Sequence, residues 1–324
     1  MPHVIRIHKY GGPEVMEWEE VQLGQPGPGE ALIRQTAVGL NFTDVYSRSG
    51  LYPGQLPMGL GSEAAGVVEA VGAGVTDLKK GDRVAYGNAP IGSYAEARLI
   101  PAHRLLKLPD AIPDVKAAAM MLKGLTVQYL IRQTYKVKKG DTILCHAAAG
   151  GVGLILCQWA KHLGATVIGT VGSDDKAALA KAHGCDHPIV YTREDFAKRI
   201  AEITGGQKLP VVYDSIGKDT FTKSLDCLAP FGLMVSFGNA SGPVENVNLG
   251  ILAAKGSLYL TRPTLNTYAA KRENLVAMGK ELFDVVLSGA VKIEVNQTFP
   301  LKEAARAHRD LEGRKTTGST VFTV

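Results

Sequence analysis

A glycine-rich string, AAAGGVG at residues 147–153, constrains the fold of this chain more than any other feature. The apolar run TILCHA precedes it, the helical pattern GLILCQWAKHLG follows it, and a second apolar run, ATVIGTV, comes next. This order predicts a strand, a tight turn, a helix and a second strand parallel to the first. Glycine lets a backbone approach a pyrophosphate, and a helix N-terminus directs N–H groups at it. The string therefore predicts a dinucleotide-binding turn, with Gly150, Gly151 and Gly153 as its candidates.

The spacing of this turn departs from a strict GxGxxG pattern. Ala148 stands where the first glycine would be, which a looser first turn would tolerate. The alternative interpretation is a strand-to-helix turn that binds nothing.

The alternation of apolar runs and helical stretches continues to about residue 265, where HPIVY, PVVYDSI, GLMVSF and SLYLTR supply four further strands. Six strands fit a complete Rossmann sheet, so we predict an α/β fold with a dinucleotide-binding domain over 124–265. Residues 1–123 carry short alternating segments such as EALIRQTAVGL, bounded by turn residues, which indicate a mostly β domain. We expect the segment 266–324 to pack on that first domain. A chain of 324 residues is long enough for two domains.

The end of the second strand of the Rossmann pattern predicts the choice of cofactor. A carboxylate there would accept hydrogen bonds from the ribose 2′-OH of NADH. This strand ends at Gly172 and Ser173, and Ser173 and Lys176 could receive the 2′-phosphate of NADPH. Asp174 and Asp175 would weaken that preference if either turned inward; the alternative places both in the first turn of the next helix.

Composition excludes several other classes of protein. The net charge is +5, and the basic residues are spread along the chain, which favours an anionic small molecule over nucleic acid. Residues 142–160 lack Lys, Arg, Asp and Glu, but three glycines interrupt them, so we expect no membrane span. The four cysteines form no CxxC pair and the N-terminal segment lacks a secretory pattern, so we expect a cytoplasmic location.

Six motifs together make a far more specific pattern than any one of them. They are VGLNFTDVYSRSGLYP (38–53), GSEAAGVVEAVG (61–72), GDRVAY (81–86), HAAAGGVG (146–153), YDSIG (213–217) and LMVSFGNASG (233–242). With them the whole chain resembles the zeta-crystallin-like quinone oxidoreductases, a zinc-independent branch of the medium-chain dehydrogenase/reductase superfamily. The resemblance implies a discontinuous GroES-like catalytic domain, residues 1–123 plus 266–324, with the Rossmann domain inserted and the cofactor in the cleft between them. It also implies a homodimer formed by pairing a strand near 257–261 across a twofold axis.

The resemblance also implies that no metal is bound. Zinc-dependent relatives need thiolate or imidazole ligands. This chain has Asn41 at the position of their first cysteine ligand and Ser62, before Glu63, at the position of the histidine in their GHE motif. Their four-cysteine lobe is missing after Tyr86, where the sequence continues GNAPIGSYAE.

Position by position, the resemblance implies a set of site residues. The resemblance assigns catalytic roles to Asn41, Tyr46 and Tyr52, at the end of the cleft that holds the nicotinamide and the electron acceptor. The implied cofactor-binding residues are Asn41, Thr126, Gly150, Gly151, Val152, Gly172, Ser173, Lys176, Tyr191, Ser215, Phe237, Gly238, Asn239, Arg262 and Arg314. Lys123 is a further candidate for the cleft.

Each of these residues has a plainer alternative role. The two tyrosines could pack within a loop, and Asn41 could only cap the helix that begins near Thr43. Arg262 and Arg314 could form surface ion pairs. His146 could be a structural histidine rather than a catalyst.

The hypothesis for function is direct hydride transfer from NADPH to a quinone without zinc. The alternative is an NADPH-dependent reductase of α,β-unsaturated aldehydes or ketones, which the sequence does not separate from the first. A protein that only binds NADPH or RNA has little support, because the sequence contains no RNA-binding motif.

Overall fold

The computed structural model describes residues 1–88 and 90–324. The strands are β1 (His3–Ile7), β2 (Met16–Glu20), β3 (Glu30–Leu40), β4 (Met58–Gly59), β5 (Glu63–Val71), β6 (Arg83–Gly87), β7 (Ala97–Pro101), β8 (Leu106–Lys107), β9 (Thr142–Cys145), β10 (Thr166–Val171), β11 (His187–Val190), β12 (Leu209–Asp214), β13 (Leu228–Ser236), β14 (Tyr259–Thr261), β15 (Val295–Pro300) and β16 (Ser319–Thr323). The helices are α1 (Phe42–Ser49), α2 (Asp114–Tyr129), α3 (Gly151–His162), α4 (Asp174–Ala182), α5 (Phe196–Thr204), α6 (Phe221–Asp226), α7 (Gly250–Ala254), α8 (Leu265–Tyr268), α9 (Arg272–Leu287) and α10 (Ala304–Glu312). A π-helical segment, Leu130–Thr134, follows α2.

The chain divides into two compact units. The first unit comprises Met1–Leu125, Ala269–Leu287 and Ile293–Val324, and the second comprises Thr126–Tyr268 and Ser288–Lys292. The limits predicted from the sequence differ by a few residues at each junction. The segment 288–292 also groups with the second unit, whereas the sequence placed it in the first.

The second unit contains a six-stranded sheet in the order β11-β10-β9-β12-β13-β14, with every pair parallel. The chain builds outward from β9 in one direction and from β12 in the other. The predicted α/β fold with a six-stranded Rossmann sheet is confirmed. Leu144, Ile168, Val212 and Met234 lie fully buried on four adjacent strands. Strands that are buried on both faces consist almost entirely of apolar residues, so they could be predicted from the apolar runs in the sequence.

The first unit contains a seven-stranded, mainly antiparallel sheet in the order β15-β16-β3-β5-β6-β8, with β7 also paired to β3. Strand β3 shifts register at Leu32/Ile33 and at Gln35/Ala37 opposite β5. Such bulges bend a strand, so β3 can serve several partners along its length. Strand β16 pairs with β3, so the last strand of the chain completes this sheet.

Helix α2 is an element that the sequence did not predict, and its first turns lie within the mostly β region 1–123. Residues 117–121, AAAMM, are all fully buried. A helix that is buried on all sides shows no amphipathic periodicity, so the sequence pattern gave no sign of it.

Within 1–88 and 90–324, none of the helices combines the length and the apolar character that crossing a bilayer would require. The uncharged run 142–160 divides instead between β9, the glycine-rich turn and α3.

Candidate functional site

The glycine-rich turn connects β9 to α3. Ala147 takes the left-handed conformation at φ 54°, and its carbonyl accepts the Gly150 N–H at 2.9 Å. A Cβ on Gly153 would lie 2.3 Å from the Ala147 oxygen, so the helix packs on the turn only because this residue is glycine. The first N–H groups of a helix have no acceptor within it. The turn thus presents the N-terminus of α3 and fits a bound pyrophosphate.

All but one of the predicted cofactor residues of the second unit lie at the carboxyl ends of its parallel strands. Gly150 is the N-cap residue of α3, and Gly151 and Val152 are its first two residues. The remaining predicted residues at this edge follow β10, β11, β12, β13 and β14: Gly172, Ser173, Lys176, Tyr191, Ser215, Phe237, Gly238, Asn239 and Arg262. Ligands of open α/β sheets bind at this edge.

Close backbone contacts shape two parts of this edge. A Cβ on Gly238 would lie 2.4 Å from the Ser215 carbonyl oxygen, so the ends of β12 and β13 touch through a glycine. A Cβ on Gly172 would lie 3.4 Å from the Tyr191 hydroxyl, which places that half-exposed ring beside the end of β10. These glycines hold the predicted residues side by side.

Arg262 binds main-chain carbonyls. Its Nη1 donates to the Ser236 oxygen at 2.9 Å and to the Gly238 oxygen at 3.1 Å. The guanidinium therefore fixes the loop after β13, a role that the sequence did not predict.

Two predicted cofactor residues lie elsewhere. Thr126 is part of α2, and Arg314 follows α10 in the first unit at φ 57°, with an exposed side chain. The strand-end geometry of the second unit does not account for either.

His146, next to the turn, is buried. Its Nε2 lies 2.8 Å from the Ser224 hydroxyl, and its Nδ1 lies 2.8 Å from the Thr170 hydroxyl. Because the Ser224 hydroxyl donates to the Thr220 carbonyl at 2.8 Å, we assign the ring proton to Nε2. Burial lowers the pKa of His146 and keeps it neutral. Both ring nitrogens of His146 are hydrogen-bonded, so this residue connects the end of β9 to Thr170 and Ser224. This supports a structural rather than a catalytic role for His146.

In the first unit, Glu63 has a fully buried carboxylate at the start of β5. Its Oε2 accepts the Lys123 ammonium and the Asn41 amide, each at 2.7 Å, and its Oε1 accepts the Leu122 N–H at 2.9 Å. A Cβ on Gly39 would collide with this carboxylate at 2.2 Å, so a glycine makes room for it. The cluster fixes the orientation of the Asn41 amide.

Sequence reasoning did not identify Glu63 as a site residue. A signal was present, because Glu63 is a charged residue at the head of the small apolar run EAAGVV. A carboxylate in a buried strand needs a cation or several donors. The cation, Lys123, lies far along the chain, so the partner could not be read from local spacing.

Helix α1 contains a buried guanidinium, that of Arg48, which holds a neighbouring histidine. Arg48 Nη1 donates to His308 Nδ1 at 2.9 Å and forms a bidentate ion pair with Glu312 at 2.8 and 2.9 Å. Burial, together with the positive charge of Arg48, lowers the pKa of His308 to about 3. The neutral ring therefore carries its proton on Nε2 and donates it onward.

The acceptor of that bond is the buried Tyr94 hydroxyl, 3.0 Å from His308 Nε2. Tyr94 donates to Asp44 Oδ2 at 2.9 Å, and the Asn41 N–H donates to the same oxygen at 2.9 Å. Burial raises the pKa of Asp44 to about 7, although both donors favour the carboxylate. A directed hydrogen-bond chain therefore runs from Arg48 through His308 and Tyr94 to Asp44, beside Asn41.

The two candidate tyrosines contact each other edge to face, with ring centroids 5.2 Å apart. Tyr46 lies on α1 and is buried, whereas Tyr52 is 40% exposed. The Tyr52 N–H donates to the Tyr46 carbonyl at 3.0 Å, so helix and loop hold the pair together. Of the two, Tyr52 is better placed to contact a ligand.

The positions that hold zinc ligands in zinc-dependent relatives carry neither cysteine nor histidine in this chain: they are Asn41 and Ser62. Asn41 is committed to Glu63, and in the loop that stands where zinc relatives have their cysteine lobe, the Arg98 guanidinium donates to the carbonyls of Pro90 and Ile91 at 3.2 and 3.1 Å. Within the described chain, the only three metal-ligating groups close together are His8, Glu17 and Glu19, on the β1–β2 ribbon. Zinc independence stays a prediction.

Comparisons with known proteins agree with this architecture. Residues 27–110 match the family model of the alcohol dehydrogenase GroES-like domain, and residues 151–278 match that of zinc-binding dehydrogenases. This pairing defines the class of medium-chain dehydrogenases/reductases.

The similarity to individual proteins extends over nearly the whole chain. A quinone oxidoreductase of Pseudomonas aeruginosa is 59% identical and covers 98% of both chains. A 2-haloacrylate reductase of Burkholderia is 51% identical, over 98% of this chain and 97% of that one. The crystal structure of Escherichia coli quinone oxidoreductase complexed with NADPH has a TM-score of 0.98 at 52% identity, over 99% of this chain and all of the other. This chain belongs to the quinone oxidoreductase family of the medium-chain dehydrogenases/reductases.

The Glu63 cluster predicts a large effect of removing its cation. Lys123→Met keeps the stem but leaves a buried carboxylate with two neutral donors, so we expect the free energy of unfolding to fall by about 3–5 kcal/mol. Urea denaturation at neutral pH measures the change. The double variant Lys123→Met/Glu63→Gln should recover much of the loss, and a single variant no less stable than the double would contradict the arrangement.

The raised pKa of Asp44 predicts a pH-dependent effect of Asp44→Asn. The folded state favours the protonated carboxyl, so this group's contribution is full below its ordinary pKa of 3.8 and is lost as the pH rises through about 7. The neutral amide does not titrate. We therefore expect Asp44→Asn to gain stability relative to the unchanged protein between pH 5 and pH 8. Unfolding free energies of both proteins across this range measure it, and parallel curves would contradict the assignment.

Proposed function

We propose that this chain is an NADPH-dependent quinone reductase that works by direct hydride transfer without zinc. The observation that carries the proposal is the 52% identity and TM-score of 0.98 to a quinone oxidoreductase complexed with NADPH. The glycine-rich turn, with the N-terminus of α3 behind it, supports the same cofactor. When bound, NADPH supplies the hydride that reduces the acceptor.

The second unit provides the groups for the nucleotide. Main-chain N–H groups of Gly151 and Val152 bind the pyrophosphate, and Gly150, whose own N–H donates to Ala147, lets the turn approach it. Ser173 and Lys176 bind the 2′-phosphate. The Ser173 hydroxyl also accepts the Lys176 N–H at 3.4 Å, so it caps α4. The further cofactor contacts are Asn41, Thr126, Gly172, Tyr191, Ser215, Phe237, Gly238, Asn239, Arg262 and Arg314.

The first unit provides the groups for the acceptor. A quinone delocalises incoming negative charge, so donors suffice to stabilise the developing oxyanion. The Tyr52 hydroxyl is the first of these, with Tyr46 holding its ring. Asn41 contributes an amide whose orientation Glu63 fixes.

A second candidate function is the reduction of conjugated carbonyl compounds. The observation that favours it is the 51% identity to a 2-haloacrylate reductase, whose name denotes an activated carbon–carbon double bond. The same residues serve either reaction, since both place negative charge on an oxygen conjugated to the reacting centre.

We also propose that the protein is a cytoplasmic homodimer. Strand β14 is an edge of the six-stranded sheet, and Tyr259 on it is 61% exposed. An open sheet edge with exposed apolar side chains favours pairing with a second copy.

Binding and turnover measured together test the proposed function. We expect a lower Kd for NADPH than for NADH by quenching of intrinsic fluorescence, with no stoichiometric zinc by elemental analysis. A panel of quinones, enals, enones and 2-haloacrylates, with products identified, then separates quinol formation from saturation of a double bond. Preference for NADH, or one zinc per chain, would contradict the cofactor and the metal-free mechanism.

Tyr52→Phe tests the donor at the acceptor end. We expect kcat with quinones to fall by roughly tenfold, because one hydrogen bond to the developing oxyanion is lost. The Kd for NADPH should stay unchanged, which separates this effect from damage to the nucleotide site. Unchanged kinetics across several quinones would remove Tyr52 from the mechanism.

A further inference from the structure

Asp174, the first residue of α4, stands one residue after Ser173, at the corner proposed to receive the 2′-phosphate of NADPH. A carboxylate near this corner favours NADH, since it repels a phosphate and can accept the ribose 2′-OH. In this protein the carboxylate is paired. Arg193 donates from Nη1 to Asp174 Oδ2 at 2.6 Å and from Nη2 to Oδ1, a bidentate ion pair.

The sheet itself makes this pairing possible. Strands β10 and β11 are parallel neighbours in which Val171 lies opposite Val190. The Tyr191 N–H then donates to the Val171 carbonyl at 3.1 Å, and the Thr192 hydroxyl donates to the Gly172 carbonyl at 3.3 Å. The residues after β11 therefore run alongside the residues after β10, and Arg193 reaches the start of α4.

The pair changes the charge of the corner. Hydrogen bonding and the positive charge of Arg193 lower the pKa of Asp174, which keeps it an anion whose charge the guanidinium offsets. Glu194, the residue after Arg193, is likewise occupied, by the Val190 N–H at 2.9 Å and by Arg199 at 3.1 Å. Lys176, two residues after Asp174 on α4, supplies a basic side chain at the same corner.

We propose that Arg193 is a specificity-determining residue for NADPH because it neutralises Asp174. The inference rests on the proposed use of NADPH. Arg193 acts through Asp174: without the guanidinium, the carboxylate lies next to Ser173 as a free anion. The Asp174 carboxylate can then accept a hydrogen bond from the ribose 2′-OH of NADH, and its negative charge repels the 2′-phosphate of NADPH.

Four variants test the proposal through dissociation constants for NADPH and NADH, measured by fluorescence quenching without any acceptor. Arg193→Ala should lower the preference for NADPH by about tenfold, through weaker NADPH binding and unchanged or tighter NADH binding. Asp174→Asn should keep or raise the preference. The double variant Arg193→Ala/Asp174→Asn should restore most of what Arg193→Ala loses. Arg306→Ala, which removes an exposed Arg–Glu pair from the first unit, is the matched control and should change nothing.

The outcomes distinguish the inference from the proposed function. If the unchanged protein shows no preference for NADPH, the proposed cofactor is wrong. If the unchanged protein prefers NADPH but Arg193→Ala keeps that preference, the inference alone is overturned. It is equally overturned if Arg193→Ala loses the preference by the same factor with Asp174 and with Asn at position 174, since Arg193 would then act directly on the phosphate.

Discussion

Parallel hydrogen bonding between the strands of the second unit is the constraint on which the nucleotide side of this protein depends. Every strand of the sheet ends at one edge, so segments distant in the sequence become neighbours there. The turn before α3, the corner after β10 and the loop after β13 all lie at this edge. Hydrogen bonds then refine the position of each segment, as with Arg262 on the carbonyls after β13.

The first unit buries several charged groups, and each of them needs compensation inside the fold. Glu63 is paired with Lys123 and given amide donors, so its charge is compensated where it lies. Asp44 accepts hydrogen bonds from the neutral Tyr94 hydroxyl and Asn41 N–H, and burial raises its pKa to about 7. Asn41 contacts both carboxylates, because its side chain donates to Glu63 and its main-chain N–H donates to Asp44. A residue proposed to meet the cofactor is therefore held from two sides.

The cofactor specificity proposed for the corner after β10 rests on charge compensation of the same kind, here at the surface. Asp174 and Arg193 belong to segments that follow adjacent strands, and only the parallel register brings them together. Such exposed pairs contribute little to stability. Their charge would still affect a phosphate bound within about 8–10 Å, because salt screens charges only weakly over that distance.

The sequence by itself determined the α/β class, the six strands of the Rossmann sheet and the turn at 147–153, because buried parallel strands and phosphate-binding turns carry local patterns. It did not determine α2, whose burial from Ala117 onward removes most of the periodicity, nor the partners of Glu63, Asp44 and Asp174. The partners Lys123, Tyr94 and Arg193 lie 60, 50 and 19 residues away, and His308 lies 260 residues from Arg48. Only the tertiary structure decided them, because the stability of a buried or paired charge depends on which groups surround it in space, and that information has no local spacing along a chain.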